Sequence, residues 1–323
     1  MPEAVRIDCH LVGSALDGMA DEVRDGLQRD FKELSPKYFY DARGSELFDR
    51  ITELPEYYPT RCERAILNRR APEIVANADA FELVELGSGS ASKTRALLYA
   101  MAGAGVLGRY VPFDCSESVV ERSAHDLVEL LPGLEVHGVV GDFERDLGKI
   151  PPGGRRIVAF LGGTIGNLYP DERAVFLAQL RGLLGPADHL LLGTDLVKDA
   201  DVLEAAYNDS QGVTAEFNRN VLHVLNRELD GDFEPDAFEH RAFFDQGESW
   251  IEMRLRARGR QRVRLDRADL DVVFADGEEM RTEISTKFTA AGIEDELADA
   301  GMRVKRFFTD DGGLFGLTLA APA

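Results

Sequence analysis

The chain has 323 residues, 44% hydrophobic and 29% charged, which suits a large core in one elaborate domain or two. A formal net charge of −21 repels polyanions, so nucleic acid and anionic membrane faces are excluded as expected partners. Cys9, Cys62 and Cys115 are scattered without paired spacing, and the six histidines form no ligand pair; reduced thiols, a cytoplasmic setting and no metal are expected.

The start, Met-Pro-Glu-Ala-Val-Arg-Ile-Asp, carries acids where a signal peptide needs bases, and no apolar run approaches the ~18 residues of a membrane span. Residues 17–33 place Met19, Val23, Leu27 and Phe31 every fourth position, the pattern of an amphipathic helix. An aromatic loop, Pro36 to Gly44, leads to a short helix over Ser45–Ile51. Pro55 and Pro59 then make Leu54–Thr60 irregular. Thr60 with Glu63 has the spacing of a capping box, so a helix is expected there, running toward Arg70. Tyr40, Tyr57 and Tyr58 fall on loops, where each serves either as a packing lid or as a ligand contact.

Phe81-Glu-Leu-Val-Glu-Leu-Gly-Ser-Gly-Ser-Ala-Ser-Lys-Thr94 runs from an alternating strand through Gly87 and Gly89 into a helix start. Glycines there let backbone approach a ligand, and the helix N-terminus offers unpaired N–H groups. The dinucleotide fingerprint expects a small third residue where Ser92 stands and an acid ~20 residues on, whereas Asp114 comes later. Glu85 before the glycines, with Asp114 closing a second strand, resembles the first motifs of S-adenosylmethionine-dependent methyltransferases.

Strands and helices alternate onward: Tyr110–Asp114, a helix over 118–131, Leu134–Phe143, Arg156–Asn167, a helix over 171–184, then His189–Asp195. That rhythm predicts an α/β fold with a doubly wound, Rossmann-like parallel sheet, with ligands at the carboxyl ends of its strands. Gly87, Asp114, Asp142 and Asn167 all follow such ends. Beyond Asp195, one helical stretch is expected over 199–227. Arginines at 254, 256, 258, 260, 262 and 264 share one strand face, either phosphate-binding or solvated and ion-paired, and Met253 points the other way. Glu283 and Ser285 share a face of the next strand; they point either to solvent or inward, where a carboxylate and a hydroxyl suit a flat ring with two nitrogens. A helix over 292–300 and a terminal hairpin complete the sheet, as methyltransferase sheets commonly close.

Seven stretches together carry a further resemblance. They are Tyr40-Asp-Ala-Arg-Gly-Ser-Glu-Leu-Phe-Asp-Arg-Ile, Leu54-Pro-Glu-Tyr-Tyr-Pro-Thr-Arg, Glu85-Leu-Gly-Ser-Gly, Phe160-Leu-Gly-Gly-Thr-Ile-Gly-Asn-Leu, Gly193-Thr-Asp-Leu-Val-Lys-Asp, Phe217-Asn-Arg-Asn and Glu278-Glu-Met-Arg-Thr-Glu-Ile-Ser. Across nearly the whole chain the sequence resembles the histidine-specific Nα-methyltransferases of the ergothioneine pathway. The resemblance implies a class I methyltransferase sheet (61–196 plus 287–323) binding S-adenosylmethionine, and an α+β substrate-binding lobe (1–60 plus 197–286). It implies three methylations of the α-amine of L-histidine, giving hercynine; the chain is expected to be a monomer. By the same resemblance Tyr40, Gly87, Lys93, Asp114, Asp142 and Phe143 hold the donor; Asn167 and Tyr207 hold the amino-acid head, Glu283 and Ser285 the imidazole, Tyr57 closes the pocket and Met253 lines it. No residue is assigned as general base. A methyltransferase acting on another amino acid or small amine, one acting on protein or nucleic acid, and a nucleotide-binding protein without methyl transfer are the alternatives.

Overall fold

In the computed structural model, residues 4–10, 15–143 and 145–323 are described, with side chains omitted at 15–17; the first three residues of the expected leader-free start lie outside. The chain divides into two compact units: Met1–Leu11, Pro59–Val197 and Phe288–Ala323 form the first, Val12–Tyr58 and Lys198–Lys287 the second.

The first unit is built on an eight-stranded sheet in the order Val5–Cys9, Glu135–Val140, Arg109–Asp114, Glu82–Leu86, Arg156–Phe160, His189–Asp195, Phe315–Pro322, Met302–Thr309. The strands from Val5–Cys9 to His189–Asp195 are parallel, and Phe315–Pro322 runs antiparallel between its two neighbours. Glu82–Leu86 and Arg156–Phe160 are buried along their length, which is why they read as apolar runs. One apolar cluster lies around Ile74, Leu98 and Tyr110, and another around Phe113, Phe160 and Leu180. The order reverses between Glu82–Leu86 and Arg156–Phe160, the switch point at which such sheets receive ligands.

Three expectations need correction. Val5–Cys9 pairs with Glu135–Val140, so the N-terminal strand belongs with the sheet and not with the lobe over 1–60. The helix expected from Thr60 starts at Pro59, whose lost N–H costs nothing in a first turn, and continues through Pro72 to Ala78. Glu63 is not spent on capping: its carboxylate meets the Gly162 N–H and Lys93.

The second unit centres on a four-stranded sheet ordered Lys32–Glu33, Glu279–Thr286, Trp250–Ala257, Phe238–Asp245. Helix Ala15–Gln28 buries Met19, Val23 and Leu27; Phe31 lies past its end, under the guanidinium groups of Arg254 and Arg281. The single helical stretch over 199–227 is two helices, Ala200–Tyr207 and Val213–Glu228, parted where Gly212 takes a φ of 72°. The arginine row is divided as well: Arg254 and Arg256 lie on Trp250–Ala257, while Arg262 and Arg264 lie on Gln261–Leu265, a hairpin with Leu270–Phe274. Arg254 pairs with Glu252 and Glu279, and Arg264 with Asp266, Asp269 and Asp271. These ion pairs take up the charge that a phosphate site would need. Among the described residues no helix is long and apolar enough to cross a membrane, and no cluster of His, Cys, Asp or Glu has the makings of a metal site.

Candidate active site

In the first unit, Gly87 and Gly89 adopt φ values of 67° and 49°, and a side chain built on either meets no atom within 4 Å. The loop is therefore open as well as tightly turned, which is the property a bound nucleotide-like ligand requires. Asp114, the last residue of its strand, accepts the Gly89 N–H at 2.9 Å and the Ser116 N–H at 3.0 Å. It holds the loop in shape with spare lone pairs to offer outward. Asp142 follows the next strand and is paired with Arg145 at 3.2 Å. Phe143 packs edge-on against Phe160 and Phe176, with centroids 5.6 and 5.7 Å away.

Two carboxylates that sequence reasoning left without a role in the site brace this region. Glu85 is buried, and burial pushes its carboxyl up to about 7, opposed by hydrogen bonds from Thr94 and Tyr110. Thr94 thus gives its hydroxyl to Glu85 instead of capping the helix Arg95–Gly103. Glu63 is wholly buried; Lys93 reaches one of its oxygens at 2.5 Å, and the Gly162 N–H reaches the other at 2.8 Å. Lys93 leaves the loop after Glu82–Leu86 and Gly162 the loop after Arg156–Phe160, so Glu63 ties together the two loops that flank the switch point. Asn167 lies half-buried in the short turn Thr164–Asn167 that follows Gly162 and Gly163.

In the second unit, the register pairs Glu283 with Met253 and Ser285 with Ile251, after an irregularity between Arg281 and Glu283. Cross-strand partners point to the same face, so Glu283, Ser285 and Met253 share one. Neither Glu283 nor Ser285 is turned to bulk water: they are 8% and 6% exposed. Glu283 has no hydrogen-bond partner among the described residues, and burial lifts its carboxyl to about 7 against the pull of the Lys287 ammonium. Tyr207 closes the helix Ala200–Tyr207 and donates its hydroxyl to Ser285 at 2.8 Å. The Tyr57 ring stands edge-on to Tyr207 with centroids 6.4 Å apart. Lys287, 2% exposed, donates to Ser285 at 2.8 Å and to Tyr207 at 3.1 Å.

A second layer sets these walls. His240 Nε2 lies 2.9 Å from the Tyr207 carbonyl, and its Nδ1 lies 2.8 Å from the Asn218 amide; Asn218 in turn accepts the Thr282 hydroxyl beside Glu283. A carbonyl only accepts, so Nε2 donates to Tyr207, while Nδ1 accepts from the Asn218 amide; burial holds the ring's basicity down.

Of the residues expected at the site, Gly87, Lys93, Asp114, Asp142, Phe143 and Asn167 fall in the first unit, and Tyr57, Tyr207, Met253, Glu283 and Ser285 in the second. Tyr40, expected among the donor contacts, belongs to the second unit; it is 41% exposed with its ring against Phe48 and Phe217. The sequence reading missed Glu63, His240, Asn218 and Lys287. For Lys287 a signal existed, because the two-residue period through Glu283 and Ser285 continues to it.

A family model described as histidine-specific methyltransferase, SAM-dependent, matches residues 19–322. Over 307 residues, covering 95% of this chain and 96% of the relative, the sequence is 55% identical to a histidine N-alpha-methyltransferase of Mycolicibacterium smegmatis. It is also 55% identical to a histidine N-alpha-methyltransferase of Mycobacterium tuberculosis, over 93% of this chain and 94% of that one. A Neurospora crassa protein, ergothioneine biosynthesis protein 1, is 30% identical over 73% of this chain and 29% of its own length.

Proposed function

We propose that this chain, which belongs to the histidine-specific, SAM-dependent methyltransferase family, is an enzyme that methylates the α-amine of L-histidine with S-adenosylmethionine as donor. It does so three times, giving hercynine within ergothioneine biosynthesis. The observation that carries the substrate is 55% identity, end to end, with histidine N-alpha-methyltransferases. A buried carboxylate without a hydrogen-bond partner among the described residues, beside a buried serine on one strand face, supports it from the chemistry.

The open Gly87 and Gly89 turns and the acid of Asp114 fit the donor: Asp114 suits ribose hydroxyls, Asp142 the adenine amino group, and Phe143 a face of the base. Lys93, engaged by Glu63, positions the loop and contributes charge beside it. When bound, S-adenosylmethionine supplies a methyl group on a sulfonium that already carries its leaving group, so the protein contributes mainly position and desolvation. Glu283 and Ser285 hold the imidazole, Met253 lines its pocket, Tyr57 covers it, and Tyr207 and Asn167 hold the amino-acid head. A free α-amine titrates near ~8. Losing its proton to water is a modest cost, and no general base is assigned. Anchoring by ring and carboxylate also keeps the amine in place after one and two methyl groups have replaced its N–H bonds.

The deciding experiment is mass spectrometry of histidine incubated with the protein and S-adenosylmethionine. A gain of three methyl units is expected; methylation of another amine with histidine untouched would overturn the reading. A pH dependence follows from Glu283. Burial raises this acid from 4.5 to about 7, so the ionised form that attracts a ring N–H is lost as pH falls through about 7. KM for histidine should climb below that point by up to about tenfold per pH unit. Histidine's own ring also titrates there, near ~6.5, so the comparison is with Glu283→Gln, whose KM profile should be shallower. Parallel profiles for the two proteins would remove Glu283 from the ring site.

A further inference from the structure

We propose that Lys287 sets the hydrogen-bonding sense of the ring site: donating to Ser285 together with Tyr207, it leaves Ser285 only its own proton to offer the substrate. Ser285 then donates to a bare ring nitrogen while Glu283 accepts from the ring N–H. The proposal rests on the reading that Glu283 and Ser285 face the imidazole.

A serine hydroxyl has two lone pairs and one proton. At Ser285 the lone pairs receive the Tyr207 hydroxyl at 2.8 Å and the Lys287 ammonium at 2.8 Å, and the proton has no partner among the described residues. Lysine carries donors and no acceptor, so Lys287 can only donate to Ser285, and with the Tyr207 hydroxyl donating as well both lone pairs are taken. Its ammonium also donates to the Tyr207 hydroxyl at 3.1 Å and lies 4.9 Å from the centre of that ring, which fixes it between the two groups. Burial of Lys287, at 2% exposed, keeps water from taking its place on Ser285. A ring with one N–H and one bare nitrogen satisfies both ends of the clamp. A ring with two N–H groups sets a donor against the Ser285 proton, and an apolar ring leaves both protein groups unpaired. Lys287 is thus a positioning residue that acts through Ser285, and it contributes to specificity without needing to touch the substrate.

The test is a double-mutant cycle of Lys287→Met and Ser285→Ala in the full chain, reading KM and kcat for histidine, with donor affinity by calorimetry. Each single variant should raise KM about tenfold with kcat changed by less than about twofold, and the double variant should be no worse than the poorer single. Donor affinity should be unaltered in all three. Effects that multiply to about 100-fold in the double variant would mean that Lys287 does not act through Ser285, and would overturn the proposal while leaving the ring reading intact. If Ser285→Ala leaves KM unchanged, the ring reading fails and the proposal with it. Should Lys287→Met lose donor binding through misfolding, Lys287→Gln, neutral but still able to donate to Ser285, decides instead: its KM should stay within about threefold of the parent, and a rise of about tenfold or more would overturn the proposal.

Discussion

Replacing Glu283 by alanine is expected to weaken histidine binding about 100-fold while S-adenosylmethionine binding stays within about twofold of the original. A hydrogen bond to a charged group contributes about 1.5–3 kcal/mol, and the ring N–H loses such a partner in the variant. Discrimination suffers with it, because an intact buried carboxylate is what makes an apolar isostere costly to admit. The same substitution should stabilise the ligand-free protein. Glu283 is 8% exposed, without a hydrogen-bond partner among the described residues, and a desolvated carboxylate in that state opposes folding. The sign can be checked by pH. Its folded pKa of about 7 lies above the unfolded value of 4.5, so the folded state binds the extra proton between them. Stability is therefore shed as pH rises through that window, and the Ala variant lacks this loss. Calorimetry with each ligand and melting curves at two pH values measure all three effects. Equal loss of both ligands would sink the assignment of Glu283 to the ring.

Glu63→Ala should cost about 2–3 kcal/mol of stability and loosen the donor site as well. Removing one member of a buried pair strands the other, and here Lys93 and the Gly162 N–H are both left without their acceptor. Lys93 is 22% exposed, so water recovers part of the loss and the cost falls to or below the low end of the usual ~3–5 kcal/mol. The two loops that Glu63 joins leave adjacent strands at the switch point, which is why donor binding is expected to respond to the change. Urea unfolding and calorimetry with S-adenosylmethionine and with histidine provide the measurements, with donor affinity expected to fall the further. Glu63→Gln, which can still accept the Gly162 N–H, should fall between. A variant as stable as the parent with unchanged donor affinity would show that the bridge carries no weight.

The parallel sheet was legible because its strands are buried on both faces and so appear as unbroken apolar runs, each ended by glycine or acid at the ligand edge. The first strand was not. Val5–Cys9 sits at the sheet's edge with Arg6 and Asp8 alternating along it, and its partner lies far along the chain, so nothing local marks it. Asp8 is held there by His137, a pairing that only the folded register creates. Thr60 and Glu63 have capping-box spacing, yet the half-buried Lys93 ammonium competes for the carboxylate more strongly than a helix N–H does. Glu283 and Ser285 could be proposed from period two, but whether that face was wet or dry depended on helices folding over it. The link from His240 through Asn218 to Thr282 joins three elements, and no spacing rule in one dimension reports such a chain.

Leu196 and Phe288 lie side by side as a parallel bridge, and the Val197 N–H donates to the Phe288 carbonyl at 2.9 Å. The segment Lys198–Lys287 therefore leaves the sheet unit and comes back to it at a single point, spliced in without a break in the strand order. An excursion whose ends are already pinned together adds little further closure entropy however long it becomes. The sequence of that excursion can then change, in length or in composition, while the order and register of the sheet strands on either side of it stay as they are.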